Sequence, residues 1–120
     1  MYEYKATLNR IIDGDTIDVN IDLGFGIQIK QRVRLHGINT PEVRTLDLEE
    51  KKRGNAAKDR LKELLPKEFM IKTILNKRGK YGRILGIIMI PSAKMSDGYV
   101  NINEQLVTEG YAERYKTTPR

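Results

Sequence analysis

The sequence predicts an α+β domain, mainly β, in which five short strands form a closed barrel and helices follow the third and fifth strands. Three observations predict it. Apolar and polar residues alternate through the first third of the chain, a helical repeat follows, and short apolar runs then return between glycines and prolines. A chain of 120 residues has the length of one domain, so we expect 1–120 to be a single unit.

The first three strands are predicted from two-residue alternation. The segment from Ala6 to Ile12 suggests a first strand with a break near Arg10, and the turn at 13–16 follows it. The second strand places Ile17, Val19, Ile21 and Leu23 on one face and Asp18, Asn20 and Asp22 on the other. After a glycine hairpin at 24–26, the third strand carries Ile27, Ile29, Val33 and Leu35 opposite Arg32, Arg34 and His36.

The remaining elements are predicted from apolar runs and their stop signals. In residues 49–65 the apolar side chains recur with the spacing of a helix, and Pro66 ends that helix. Gly54 weakens the helical pattern in its early part. Strands follow at 69–75 and 84–90, and the second is apolar on both faces, which favours a central position. Asn103 is a candidate cap for a short helix that ends before Gly110, and we expect a disordered tail at 116–120. This order is typical of an OB-type barrel.

Composition narrows the function classes. The net charge of +6 and pI of about 9.6 favour polyanionic partners, above all nucleic acid. The absence of cysteine excludes disulfides, thiolate metal sites and cysteine nucleophiles. No segment reads as a signal peptide or a membrane span, so the expected location is the cytoplasm and no membrane partner is expected.

Three segments carry the candidate chemistry. They are Ile12-Asp13-Gly14-Asp15-Thr16, Val33-Arg34-Leu35-His36-Gly37-Ile38-Asn39-Thr40-Pro41-Glu42 and Lys80-Tyr81-Gly82-Arg83. In this order and spacing they resemble the signature stretches of the staphylococcal nuclease family, and residues 100–112 resemble that family's late helix. The resemblance covers the chain from about residue 5 to about residue 115.

This resemblance implies a five-stranded barrel and calcium-dependent endonuclease activity on DNA and often RNA, with 3′-phosphate and 5′-hydroxyl products. By position it implies metal ligands at Asp15, Asn39 and the Thr40 carbonyl. It implies Glu42 as the usual general base and Arg34 and Arg83 as the arginines that clamp the phosphate. It also implies nucleotide contacts from Lys80, Tyr81, Tyr115 and Tyr111.

The residue types suit that chemistry independently of the family. Calcium takes oxygen ligands from carboxylates, amides and backbone carbonyls. Guanidinium groups bind phosphate in a bidentate way and remain charged, so two of them can stabilise a pentacoordinate phosphorus. Glu42 can accept a proton from water or orient it. Asn39 stands where the family's prototype has an aspartate, so we expect weaker calcium binding than at a two-aspartate site.

Alternatives remain open. Each motif alone is ordinary, since an Asp-Gly-Asp turn or a basic loop is common, and only their joint occurrence favours an enzyme. The second hypothesis is a non-catalytic OB-type module that binds single-stranded nucleic acid. The family's prototype continues into a third helix beyond the position of Tyr115, and here a partner chain could supply that cover. The hairpin around 24–26 is longer than in the prototype and could pair with another protomer. The oligomeric state, monomer or homodimer, therefore stays open.

Overall fold

The computed structural model describes residues 2–74, 84–96 and 98–114. Within them lie strands β1 Tyr2–Asp13, β2 Thr16–Asp22, β3 Gln28–Leu35, β4 Ile38–Asn39, β5 Glu68–Ile74, β6 Ile84–Pro91, β7 Tyr99–Asn101 and β8 Glu113–Arg114, and helices α1 Leu48–Leu64 and α2 Ile102–Thr108. In these ranges no helix is both long and apolar enough to cross a membrane.

Five of these strands close into the predicted barrel. The sheet runs in the order β3-β2-β1-β5-β6-β7, and a parallel pairing of β3 with β6 closes its first five strands into a ring. In that pairing Val33 lies opposite Ile84 and Leu35 opposite Gly86. Closure pairs the sheet edges that an open sheet would expose. The fold class predicted from the sequence is therefore confirmed.

The barrel interior is built from most of the alternating residues that the sequence singled out. Ile17, Val19 and Ile21 of β2 and Val33 and Leu35 of β3 are all fully buried. Leu23 and Ile27, predicted to share those faces, instead lie just outside the two strands and are 42% and 54% exposed. The central position predicted for β6 is also confirmed, because it pairs with β5, β3 and β7.

The first strand is continuous from residue 2 to 13, and the break predicted near Arg10 is an irregularity within it. Its register against β2 shifts between Leu8 and Arg10 and again between Ile11 and Asp13. Such irregularities bend a strand and raise its twist without ending it. The residues before them, Tyr2 to Thr7, pair with β5.

The role predicted for Asn103 is wrong. The cap of α2 is Asn101, whose side chain accepts a hydrogen bond from the amide of Glu104. Asn103 is 2% exposed, and its amide nitrogen donates to the carbonyls of His36 and Gly86 at 3.0 Å each. Its carbonyl oxygen accepts from the Ile88 amide at 3.2 Å. One buried side chain thus ties α2 to β6 and to the chain leaving β3.

A charged pair joins the two helices. The guanidinium of Arg60 on α1 donates twice to the carboxylate of Glu109 beside the end of α2, at 2.5 and 2.9 Å. Hydrogen bonds from Arg60 and, to a lesser degree, from Gln105 lower the pKa of Glu109 from its ordinary 4.5 to about 2. A carboxyl whose pKa is lowered by folding stabilises the fold only while it is ionised.

We therefore expect this contribution to be complete above about pH 4.5 and to disappear as the pH falls towards 2. Urea unfolding across this range should show the difference in unfolding free energy between wild type and Glu109→Gln shrinking as the solution becomes more acidic. Arg60→Gln should remove the same pH-dependent component. Parallel pH profiles for wild type and Glu109→Gln would contradict the assignment.

Candidate active site

The turn after β1 and the end of β3 bring the first two candidate residues together. Thr16 lies opposite Arg34 in the β2–β3 ladder, and the amide of Leu35 donates to the carbonyl of Asp15 at 2.7 Å. This hydrogen bond extends the ladder by one step into the turn. Asp15 and Arg34, 19 positions apart in the sequence numbering, are therefore held side by side by strand register.

The carboxylate of Asp15 is buried and fully engaged. Only 6% of the residue is exposed. Its Oδ1 accepts from the Thr16 hydroxyl at 3.0 Å, and its Oδ2 accepts from the Thr40 amide at 3.1 Å. Oδ2 also lies 3.1 Å from Nη1 of Arg34. A buried carboxylate needs such a countercharge and hydrogen bonds, because burying it alone is costly.

Arg34 connects Asp15 to the loop that follows β3. Its Nη2 donates to the carbonyl of Ile38 at 3.3 Å and forms a short hydrogen bond to the side-chain oxygen of Asn39. One guanidinium thus contacts a carboxylate oxygen, an amide oxygen and a backbone carbonyl. Three of the predicted site residues, Asp15, Arg34 and Asn39, are brought together, and Thr40 joins them through its amide.

Helix α1 supports this cluster with two residues that have small side chains or none. A Cβ at Gly14 would lie 2.8 Å from the Cβ of Ala57 and 2.9 Å from a methyl carbon of Thr40. A Cβ at Gly54 would lie 2.5 Å from the carbonyl oxygen of Glu42 and 2.8 Å from that of Pro41. The glycine that weakened the helical pattern is therefore the point at which the helix touches the backbone of the site loop.

Glu42 lies on this loop with an exposed side chain. Its amide faces a carboxylate oxygen of Glu50 at 3.5 Å, and its carbonyl packs on Gly54. The loop backbone is thus held by α1 while the carboxylate remains open to solvent. In this position the carboxylate can contact a water molecule, which a group that accepts a proton from water must do.

The donor chemistry of the cluster fits a hard cation. The side chains of Asp15 and Asn39 and the carbonyl of Ile38 offer oxygen only, and they already converge on one positive group, the Arg34 guanidinium. The hydroxyl oxygen of Thr40 is buried and has no hydrogen-bond partner in the described ranges. Those ranges hold no group of three or more histidines, cysteines, aspartates or glutamates that could bind a metal ion. Because residue 39 is an asparagine, the cluster has one carboxylate where a two-aspartate site would have two.

The other predicted site residues are placed less completely. Arg83, Lys80, Tyr81 and Tyr115 lie outside the described residues, so their roles stay predictions. Tyr111 is half-buried against the core just after α2, and its amide donates to the carbonyl of Leu106 at 2.9 Å. Its contact with nucleotide also stays a prediction.

A second charged arrangement lies beside the site on the outer face of the barrel. Arg32 donates to both carboxylate oxygens of Asp18 on the neighbouring strand, at 2.9 and 3.2 Å. The hydrogen bond lowers the pKa of Asp18 and raises the pKa of Arg32. Both groups therefore remain charged near neutral pH.

The fold and site define an OB-type barrel domain whose β1–β2 turn and third strand hold an acid–arginine pair. Comparison with known proteins gives the family. The family model described as staphylococcal nuclease homologue matches residues 32–120, more than half of the chain. The chain therefore belongs to the staphylococcal nuclease family, as the motifs predicted.

Individual relatives agree with this assignment. The chain is 29% identical over 124 residues to endonuclease YhcR of Bacillus subtilis, an alignment that covers 98% of this chain and 9% of that protein. It is 31% identical over 117 residues to a micrococcal nuclease of Shigella flexneri, covering 95% and 60%. An uncharacterized Methanocaldococcus jannaschii protein is 28% identical over 138 residues, covering 93% and 59%. The chain thus spans less than two thirds of the length of each of these relatives.

The packing of Gly54 gives a test of how the loop is held. Alanine favours helices over glycine by about 1 kcal/mol, so Gly54→Ala would stabilise an unconstrained helix. Here the added methyl meets backbone atoms at 2.5 Å, and we expect a net loss of about 1–3 kcal/mol. Urea unfolding measures it. The matched control is Asn55→Ala at the exposed neighbouring position, which should be neutral or slightly stabilising; equal effects at both positions would contradict the proposed contact.

Proposed function

We propose that this chain is a calcium-dependent nuclease that hydrolyses phosphodiester bonds of nucleic acid, DNA and also RNA. The observation that carries the proposal is the convergence of Asp15, Arg34 and Asn39 in a member of this family. The names of two relatives, an endonuclease and a micrococcal nuclease, support the same activity.

In this proposal Asp15, Asn39 and the Thr40 carbonyl hold the metal ion. When bound, calcium supplies positive charge that polarises a phosphate oxygen and an attacking water. The buried carboxylate of Asp15 is already fixed by the Thr16 hydroxyl and the Thr40 amide, so it needs little reorganisation. Fixed ligands of this kind reduce the cost of assembling a site.

Arg34 has two tasks in the proposed mechanism. Its guanidinium neutralises Asp15 and donates to the oxygen of Asn39. If Asp15 and Asn39 were to hold a metal ion, the same guanidinium would be free to bind a phosphate through two parallel hydrogen bonds. Arg83 would be the second such group. Together they would stabilise the charge that develops on the phosphoryl oxygens.

Glu42 completes the proposed set as the acceptor of a proton from water. Its carboxylate is exposed while its backbone is fixed on α1, so it can be positioned without being withdrawn from solvent. Positioned acids and bases typically contribute about 10²–10⁴-fold to a rate. We assign Glu42 this role from its position in the motif and its place on the site loop.

The deciding experiment is a cleavage assay on labelled single-stranded DNA and RNA with calcium, with magnesium or with EGTA. We expect cleavage that requires calcium, and a loss of about 100-fold or more in Glu42→Gln. The matched control is Glu63→Gln, which removes an exposed carboxylate of α1 rather than of the site loop and should retain full activity. Cleavage that persists in EGTA would contradict the proposed requirement for calcium. Binding without cleavage under every metal condition would favour the non-catalytic binding module.

A second test concerns the missing charge at position 39. Asn39→Asp restores a second carboxylate, and we expect tighter calcium binding by isothermal titration calorimetry because calcium affinity rises with ligand charge. The added charge also strengthens the contact with Arg34, which limits the gain. Asn55→Asp, an exposed position on α1, controls for net charge alone. Equal affinity in wild type and Asn39→Asp would show that residue 39 is not a ligand.

A further inference from the structure

An open groove of about 1210 Å³ lies on the outer face of β1, β2 and β3, beside the candidate site. Four basic side chains and two carboxylates line it, which gives the groove a formal charge of +2. These are Arg10, Lys30, Arg32 and Arg44, with Asp13 and Asp18. The four basic side chains are exposed. The proposed chemistry uses none of these six residues, and only Asp13 lies within one of the family motifs.

The basic residues of β3 form a regular row that begins at the site. Arg34, Arg32 and Lys30 alternate along the strand and lie opposite Thr16, Asp18 and Asn20 of β2. Alternate residues of a strand point to the same face and are separated by about 6.8 Å. The row therefore leads from the Arg34 cluster directly into the groove, in steps suited to a repeating anion.

Most of this positive charge has no fixed counterion. Arg10, Lys30 and Arg44 form no ion pair with any residue in the described part of the chain, whereas Arg32 is paired with Asp18. That pair is accessible, because the side chains are 52% and 27% exposed. An exposed pair is worth little, so a phosphate can replace the carboxylate at small cost.

We propose that this groove binds the sugar-phosphate backbone of a single nucleic-acid strand that continues beyond the phosphate held at the candidate active site. Lys30 and Arg44 bind its phosphates directly, and Arg32 does so in exchange for Asp18. This inference rests on the proposed function, since it names how that site holds its polymeric substrate. Basic grooves that follow a strand are the usual means by which OB-type barrels bind single strands of about four or more nucleotides.

The first experiment measures binding without catalysis. Fluorescence anisotropy in EDTA compares labelled oligothymidylates of three and twelve nucleotides. We expect Lys30→Gln/Arg44→Gln to weaken binding of the longer strand about tenfold at 0.1 M salt and to reduce the salt slope by about 1.4, because two phosphate contacts are lost. The three-nucleotide strand should be affected far less.

The matched control is Lys62→Gln/Lys94→Gln, which removes the same charge at positions outside the groove. Equal losses in the two double variants would overturn the proposal, because general attraction rather than the groove would then explain binding. A duplex of equal length that competes as well as the single strand would overturn the assignment to a single strand.

Asp18 provides a test in the opposite direction. Asp18→Asn frees Arg32 and removes a negative charge from the groove, so it should tighten binding of the twelve-nucleotide strand by several fold. Glu68→Gln also removes one exposed carboxylate, which faces Lys5 at 3.1 Å outside the groove. If Glu68→Gln tightens binding as much as Asp18→Asn does, the groove assignment is wrong.

Cleavage assays separate this inference from the proposed function. For Lys30→Gln/Arg44→Gln we expect KM to rise for the twelve-nucleotide strand, with kcat and the cleavage of the three-nucleotide strand unchanged. If the wild type cleaves both strands and Lys30→Gln/Arg44→Gln has the same kinetic constants as Lys62→Gln/Lys94→Gln on both lengths, the groove inference fails and the proposed nuclease activity stands. If wild type cleaves nothing, the proposed function fails, and the anisotropy measurements decide the groove alone.

Discussion

The candidate site depends on the close approach of helix α1 to two loops. Gly14 lies against Ala57 and Thr40, and Gly54 lies against the carbonyls of Pro41 and Glu42. Residues 54 and 57 are one helical turn apart, so they share a face of the helix. Neither carries more than a methyl group, and only this allows the helix to support the loop backbone directly. Larger side chains would push the loop away and separate Thr40 from Asp15.

This contact determines the electrostatics of the site. With the loop in place, the Thr40 amide and the Arg34 guanidinium both reach the Asp15 carboxylate. The buried negative charge then has both hydrogen bonds and a countercharge, without which its burial would be strongly unfavourable. With asparagine at position 39, the cluster holds one carboxylate and one guanidinium and is formally neutral. The carboxylate that would hold a divalent cation in the proposed mechanism is therefore already paired with the guanidinium of Arg34.

Much of the barrel could be predicted because two-residue alternation reports directly on burial. The buried residues of β2 and β3 and the double-sided apolar pattern of β6 appear in the structure as expected, whereas Leu23 and Ile27 lie just outside the strands and are exposed. The grouping of Asp15, Arg34 and Asn39 was predictable only through the family motifs. Strand register, rather than any local pattern, brings them together from different parts of the chain.

Other features had no readable local signal. The sequence indicated the irregularity of β1 near Arg10, but the second one, between Ile11 and Asp13, shows only in the ladder to β2. The very short strands β4, β7 and β8 contain two or three residues each, too few for a period. Asn103 resembled a helix cap, since asparagine near an apolar run usually is one, but its three hydrogen bonds are tertiary. Gly54 read as a weak helical position because its contact lies in another segment.

The register of β3 specifies the core and the charged surface together. Val33 and Leu35 fill the barrel, and the residues between and before them, Arg34 and Arg32, face the site and the groove. A slip of one residue would bury the arginines and expose the apolar side chains, so it is strongly disfavoured. The antiparallel ladder to β2 and the parallel ladder to β6 fix this register from both sides. The stability of the barrel requires this register, so burial of the apolar face of β3 also positions the arginines. The outer face can therefore carry a row of like charges, although these charges repel one another and would not become ordered on their own.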